Sequence, residues 1–237
     1  MNLDWPPPAA GTLGGVLLAA ALYVVFHYFG HADVLRRRLD PGRGADATAV
    51  RAVLLQRVAG FVLLGALPLL YAALALPRDL AFYGLGLGRL DRAGVFVLGV
   101  GVVVLPLIAR ASRSPAFRSH YPQLRVSYSW DAALRRRNAA AWTLYLLGYE
   151  FFFRGFLLFA LADAFGPWAA VALTTLAYAW AHLPKNAGET LGTLPMGIVF
   201  ALSALWSGAI WAPWLAHVLI ANTSDWLASR PAGPSRS

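Results

Sequence analysis

The sequence predicts an all-α protein: a polytopic transmembrane helix bundle of about seven spans, with six to eight compatible. Three observations carry that prediction. Hydrophobic residues make up 59% of the 237-residue chain and charged residues only 13%, against about 25% charged in a soluble globular protein. Mean hydropathy is +0.57. Apolar runs near the roughly 20 residues needed to cross a bilayer recur along the chain, and the polar segments between them are rich in arginine, as cytoplasmic loops of membrane proteins are.

The elements follow in order. The first span is 12–30, ending among His27, Tyr28 and His31, which suit an interface. As 1–11 hold no Lys or Arg and no cleavage site in basic context, this run is read as a retained span rather than a signal peptide. A polar stretch, 31–51, carries Arg36, Arg37 and Arg38. The second span is 52–76, with Arg57 near its start expected to snorkel to the surface. A loop with Pro77, Gly84, Gly86 and Gly88 leads to the third span, 93–109. The longest polar segment, 110–138, holds seven arginines and His120. The fourth span is 139–165, closed by a Gly166-Pro167 turn. The fifth is 168–182, followed by a short polar connection, 183–189. The sixth is 191–205, and after Ser207-Gly208 the seventh is 209–227. Trp206, Trp211 and Trp214 read as an interface belt. The organisation is then N-terminal spans and basic loops over 1–138, a core carrying the polar groups over 139–228, and a disordered tail over 229–237.

Charge sets the orientation. With the N-terminus outside, inner segments hold fifteen Lys and Arg and outer segments three, so the expectation is N-terminus out, C-terminus in. The net charge of +9 invites nucleic-acid binding, but no basic stripe is interleaved with exposed aromatics; the bilayer, not nucleic acid, is the expected partner. Cysteine is absent, which excludes disulfides, thiolate nucleophiles and Cys-type metal sites.

Against this apolar background the second half concentrates polar groups. Glu150 and Arg154 stand at i and i+4 on the fourth span, the favourable order for a helical ion pair. His182 ends the fifth span, His217 lies mid-way along the seventh, and Asn222 and Asp225 follow it. Glu150 falls some eleven residues, about 16 Å, into the membrane, at a depth comparable to His217. A lone charge in hydrocarbon costs at least about 2.5–3.5 kcal/mol. The Glu–Arg pair is therefore either a clamp between helices or part of a site. A carboxylate and two imidazoles converging in a low-dielectric cavity suit a general base that activates water, or a metal site. Neutral imidazoles also donate to a developing oxyanion.

The residues that carry a family resemblance are Glu150-Phe-Phe-Phe-Arg154-Gly155, then Tyr178-x-x-x-His182, then His217 on a late span. Over roughly 142–226 this order resembles the CPBP intramembrane proteases, which include CAAX prenyl endopeptidases and bacteriocin self-immunity (Abi) proteins. Their pattern is Glu-Glu-x-x-x-Arg, Phe-x-x-x-His and His-x-x-x-Asn/Asp on separate membrane helices. Here the first Glu, the usual water activator, falls on Tyr149. Four residues after His217 stands Ala221, with Asn222 one place on. The form resembles a bacterial branch with an aromatic before the Glu, in which a His-x-x-Lys and a following Glu also recur, like His182, Lys185 and Glu189.

What the resemblance implies is a peptide hydrolase acting near the cytoplasmic face of a bacterial cytoplasmic membrane, on a peptide or membrane-protein substrate. Glu150, held by Arg154, would work with His182 to activate water; His217, with Asn222, would steady the oxyanion; Glu189 or Glu150 would replace the missing carboxylate. Zinc is the one cofactor expected, with Glu150, His182 and His217 as three protein ligands and water as the fourth. Two other readings stay open: a non-catalytic pseudoprotease that binds or shields a partner, as in self-immunity, and a proton-coupled transporter using Glu150 and the histidines as a relay. The lack of an internal repeat between the halves counts against the last.

Overall fold

The computed structural model describes residues 7–39, 42, 44–183 and 187–230, and among these the regular structure is entirely helical. Helix α1 (Pro7–Val25) runs on into a π-helical segment, Phe26–Gly30. After the short α2 (Ala32–Arg38), α3 (Ala45–Phe61), a π-helical segment (Val62–Ala66) and α4 (Leu67–Ala75) form one rod. A π-helical turn, Ala81–Leu85, precedes α5 (Leu90–Ala111), and α6 (Pro115–His120) lies in the long polar segment. A second rod consists of α7 (Ala132–Glu150), the π-helical segment Phe151–Leu157 and α8 (Leu158–Phe165). Helices α9 (Pro167–Trp180), α10 (Ala187–Ser207) and α11 (Trp211–Ala228) complete the bundle. Local chemistry sets the starts. Asp131 caps α7 by accepting from Leu134 N, and Gly166, at φ 84°, turns the chain into Pro167 at the first position of α9, both common ways to begin a helix.

The second rod is the axis of the molecule. Its most apolar window is 83% buried, against 11% for the window containing α5, which lies at the periphery. Close approach to the first rod depends on glycine. A Cβ on Gly65 would stand 2.7 Å from Gly148 Cα, so the two backbones cross in contact. Small residues permit such crossings in membranes, where van der Waals packing rather than the hydrophobic effect drives association. A smaller apolar cluster of Ala32, Ala52, Val53, Leu124, Trp130 and Leu134 closes the arginine-rich end.

Two expectations change. Five helical stretches among the described residues are long and apolar enough to cross a membrane: Gly11–Gly30, Ala45–Ala75, Ala81–Ala111, Ala132–Phe165 and Thr190–Ser207. The fifth and seventh predicted spans are not among them. Helix α9 has 14 residues, about 21 Å, short of a hydrocarbon core of about 30 Å; α11 is interrupted by His217, Asn222, Thr223, Ser224 and Asp225. Both nevertheless pack inside the bundle. Arg57 does not snorkel: it is 0% exposed, because acceptors on α7 and α11 reach it inside. The predicted tail from 231 onward lies outside the described residues.

Candidate active site

Glu150 is the last residue of α7 before the π-helical segment, and it is 0% exposed. Its Oε2 lies 3.2 Å from Arg154 Nη1, and its Oε1 accepts from the same nitrogen at 3.4 Å. Oε1 also meets His217 Nδ1 at 2.5 Å. So α11 brings an imidazole onto the carboxylate that α7 presents. In the neutral imidazole, this contact places the proton on Nδ1, facing the carboxylate, and the lone pair on Nε2. Arg154, 1% exposed, stacks its guanidinium over the Tyr178 ring at 4.1 Å, with Phe153 and Phe200 rings at 5.6 and 5.5 Å. A desolvated cation–π contact is worth roughly 2 kcal/mol, so Tyr178 holds the arginine that holds the glutamate. The π-helical segment carrying Arg154 is the kind of local widening often found at functional sites.

His182 follows the end of α9. Its Nδ1 is 2.9 Å from Tyr178 O, a carbonyl that can only accept, so Nδ1 carries the proton of this contact. Tyr149 stands between the two histidines: its ring centroid is 6.5 Å from His182, 6.0 Å from His217 and 6.0 Å from Tyr178. Glu150, Arg154, His182, His217 and Tyr149 thus form one cluster built by α7, the π-helical segment, α9 and α11.

The other two candidates are placed differently. Glu189 lies in α10, with its side chain outside the described residues, and Lys185 is outside them altogether. Asn222 lines a hollow with Asn138, Arg135 and Trp226, on another side of α11 from the His217–Glu150 contact. A resident zinc ion does not fit the arrangement of Glu150, His182 and His217. Glu150 Oε1 is engaged by His217 and its other oxygen faces Arg154, and no group of three His, Asp or Glu among the described residues is placed to hold a metal ion.

A second buried polar cluster went unread in the sequence. Arg57 Nη1 donates to Asn138 O at 2.9 Å and Asn138 Oδ1 at 2.7 Å. Asp225 Oδ2 accepts from Asn138 Nδ2 at 2.9 Å and Trp142 Nε1 at 2.7 Å, and lies 3.7 Å from Arg57 Nη2. Arg57 also stacks on the Trp142 ring at 4.2 Å. This network ties α3, α7 and α11 together, and α7 and α11 are the helices that supply Glu150 and His217. The available signal was Arg57 itself, a charge in an apolar span that had to find an acid; Asp225, on the seventh predicted span, had been given no role.

The family model described as type II CAAX prenyl endopeptidase Rce1-like matches residues 138–222. That segment contains all the clustered side chains, and the match bears out the resemblance read from the motifs. No curated protein and no solved structure matches the chain. With five helices of membrane-crossing length and composition among the described residues, the chain is an integral membrane protein, and its segment 138–222 is similar to the CAAX-protease family model.

Proposed function

We propose that the protein is an intramembrane peptide hydrolase in which a Glu150–His217 pair activates water. The observation that carries this reading is the 2.5 Å contact between Glu150 Oε1 and His217 Nδ1. A buried carboxylate on Nδ1–H fixes the tautomer and stabilises the imidazolium that forms when Nε2 takes a proton. His217 is then the base, rather than a donor to the oxyanion. Its Nε2 removes a proton from water as the oxygen adds to the scissile carbonyl carbon. The proton passes to the departing amine as the C–N bond breaks, giving an acid and an amine. His182, held by Tyr178 O through Nδ1, helps to orient the water. The Tyr149 hydroxyl, on the ring between the two imidazoles, donates to the oxyanion. Tyr149 in this account takes a different task from the glutamate it replaces, and Glu150 alone supplies the carboxylate.

The test is peptide release from a membrane-protein fraction by the purified chain, with new amino termini as the readout. Glu150→Gln keeps the shape but removes the charge, and a fall of about 10³–10⁴-fold is expected, as for other carboxylates that orient a catalytic imidazole. Wild type, Glu150→Gln, His182→Ala and His217→Ala releasing termini equally would sink the proposal. The placement of Asn222 away from His217 favours the second reading, a pseudoprotease that shields a partner. Folded variants that lose no protective effect in cells while none releases peptides would select it.

A further inference from the structure

At the arginine-rich end, the start of α7 and the last turns of α11 flank an open cavity of about 430 Å³. It is separate from the Glu150–His217 cluster. Among the residues lining it are Arg135 and Arg136 of α7, Asn222 and Trp226 of α11, and Trp130 from the segment before α7. No acidic residue lines it. The nearby carboxylates are committed elsewhere: Asp131 caps α7 through Leu134 N, and Asp225 is held by Asn138 and Trp142. Arg135 and Arg136 are exposed and make no ion pair among the described residues. Asn222 Oδ1 is buried and accepts no hydrogen bond. Trp130 is 7% exposed and anchored in the apolar cluster at this end, whereas Trp226 is 44% exposed and stacks on Arg230 at 3.6 Å.

We infer that this cavity binds the headgroup of an anionic phospholipid bearing a free hydroxyl, of the phosphatidylglycerol type. Two guanidiniums without partners suit a phosphate, which arginine recognises through paired donors. The unpaired Asn222 oxygen requires a donor, which the headgroup hydroxyl supplies and a bare phosphate does not. The two indoles suit the ester region, where tryptophan is enriched at membrane interfaces. Basic pockets between helices at a membrane face commonly hold such headgroups. Apolar surface for acyl chains is present on the helix beside α11: α5 packs along α11 and exposes Val102, Val103 and Leu107. This favours a lipid over a soluble phosphate, which would leave the indoles and that apolar face unused.

The experiment uses the full chain in neutral detergent. Lipid binding is read by native mass spectrometry and by the shift in thermal unfolding as lipid is titrated. The probes are phosphatidylglycerol, phosphatidic acid, phosphatidylcholine and soluble glycerol phosphate. The expected order has phosphatidylglycerol tightest, phosphatidic acid weaker, and phosphatidylcholine and glycerol phosphate without a saturable shift. The Arg135→Gln/Arg136→Gln double variant, changed only at exposed positions, loses about thirtyfold in phosphatidylglycerol affinity, the effect of two basic residues at an anionic surface. Asn222→Leu removes the preference for phosphatidylglycerol over phosphatidic acid. Arg113→Gln, exposed and outside the cavity, leaves binding unchanged. Equal binding of all three lipids, saturable binding of glycerol phosphate, or an Arg113→Gln loss as large as that of the double variant would overturn the inference. Because binding is read without peptide release, it stands or falls independently of the hydrolase proposal.

Discussion

In the proposed hydrolysis, Tyr149 supplies the donor to the oxyanion. It is 5% exposed, and its ring contacts Tyr145, Phe153 and Tyr178 as well as both histidines. Most of what Tyr149 contributes to packing is therefore retained in phenylalanine, and only the hydroxyl is lost. Tyr149→Phe is expected to leave the thermal unfolding midpoint within about 2 °C while lowering peptide release by about 10²-fold, the usual effect of removing one oxyanion donor. Unchanged release in a steady-state assay would remove the hydroxyl from the mechanism. Arg154 gives the complementary case. Arg154→Leu takes the counter-charge from Glu150 Oε2 and the cation from the Tyr178 ring, so loss of stability is expected with loss of activity: removing one partner of a buried ion pair costs about 3–5 kcal/mol. Chemical denaturation in detergent measures it.

At the scale of elements, the Gly65–Gly148 crossing sets how closely the two rods approach, two residues before Glu150. Gly148→Leu would drive a side chain into Phe61 Cα and Gly65 N, which already stand 3.0 and 3.2 Å from an added Cβ. Separation of the rods and a loss of about 1–3 kcal/mol or more are expected. The readout is the unfolding midpoint, and a midpoint equal to wild type would show that the rods tolerate a wider spacing. Much at this scale was legible in the sequence. The apolar runs marked the long rods, and Glu150, Arg154, His182 and His217 were found by the penalty each meets in hydrocarbon. The short helices α2 and α6 escaped because their polar sequences carry no membrane-scale signal. The π-helical segments escaped because nothing in Phe151-Phe-Phe-Arg154-Gly155 distinguishes a π turn from an α turn. The pairing of Glu150 with His217 rather than His182 depends on how α9 and α11 tilt, which spacing along one chain does not encode.

At the scale of the molecule, the Arg57–Asn138–Asp225 network joins the N-terminal half to the last helix. Arg57 was misjudged because an arginine near a span's end is ordinarily free to reach the surface; here two acceptors from distant helices satisfy it inside. A double-mutant cycle distinguishes a clamp from incidental contact. Asp225→Leu alone is expected to destabilise by about 3–5 kcal/mol, since it strands a buried guanidinium, whereas Arg57→Leu with Asp225→Leu is expected to recover most of that loss. Additive losses in urea or thermal unfolding would show that the two side chains act separately. The preponderance of Lys and Arg on one set of connections, fifteen against three if seven segments cross, predicts an orientation with the arginine-rich end in the cytoplasm. Reporter fusions after residues 113 and 89 should then read inside and outside respectively.

The same network has a consequence for the order in which the protein is made. Arg57 emerges 81 residues before Asn138, and Asn138 emerges a further 87 residues before Asp225. At about 5–20 residues per second, the guanidinium waits some seconds for its first acceptor and longer for its counter-charge. Through that interval the second membrane segment holds a cation with no partner in the nascent chain. It must be sheltered by the insertion machinery or stay near the water interface, so its final depth is reached only after the last helix arrives. A ribosome-stalled chain ending before Asp225 should accordingly leave a cysteine placed at 53, one helical turn before Arg57, accessible to a water-soluble thiol reagent, and the completed chain should protect it.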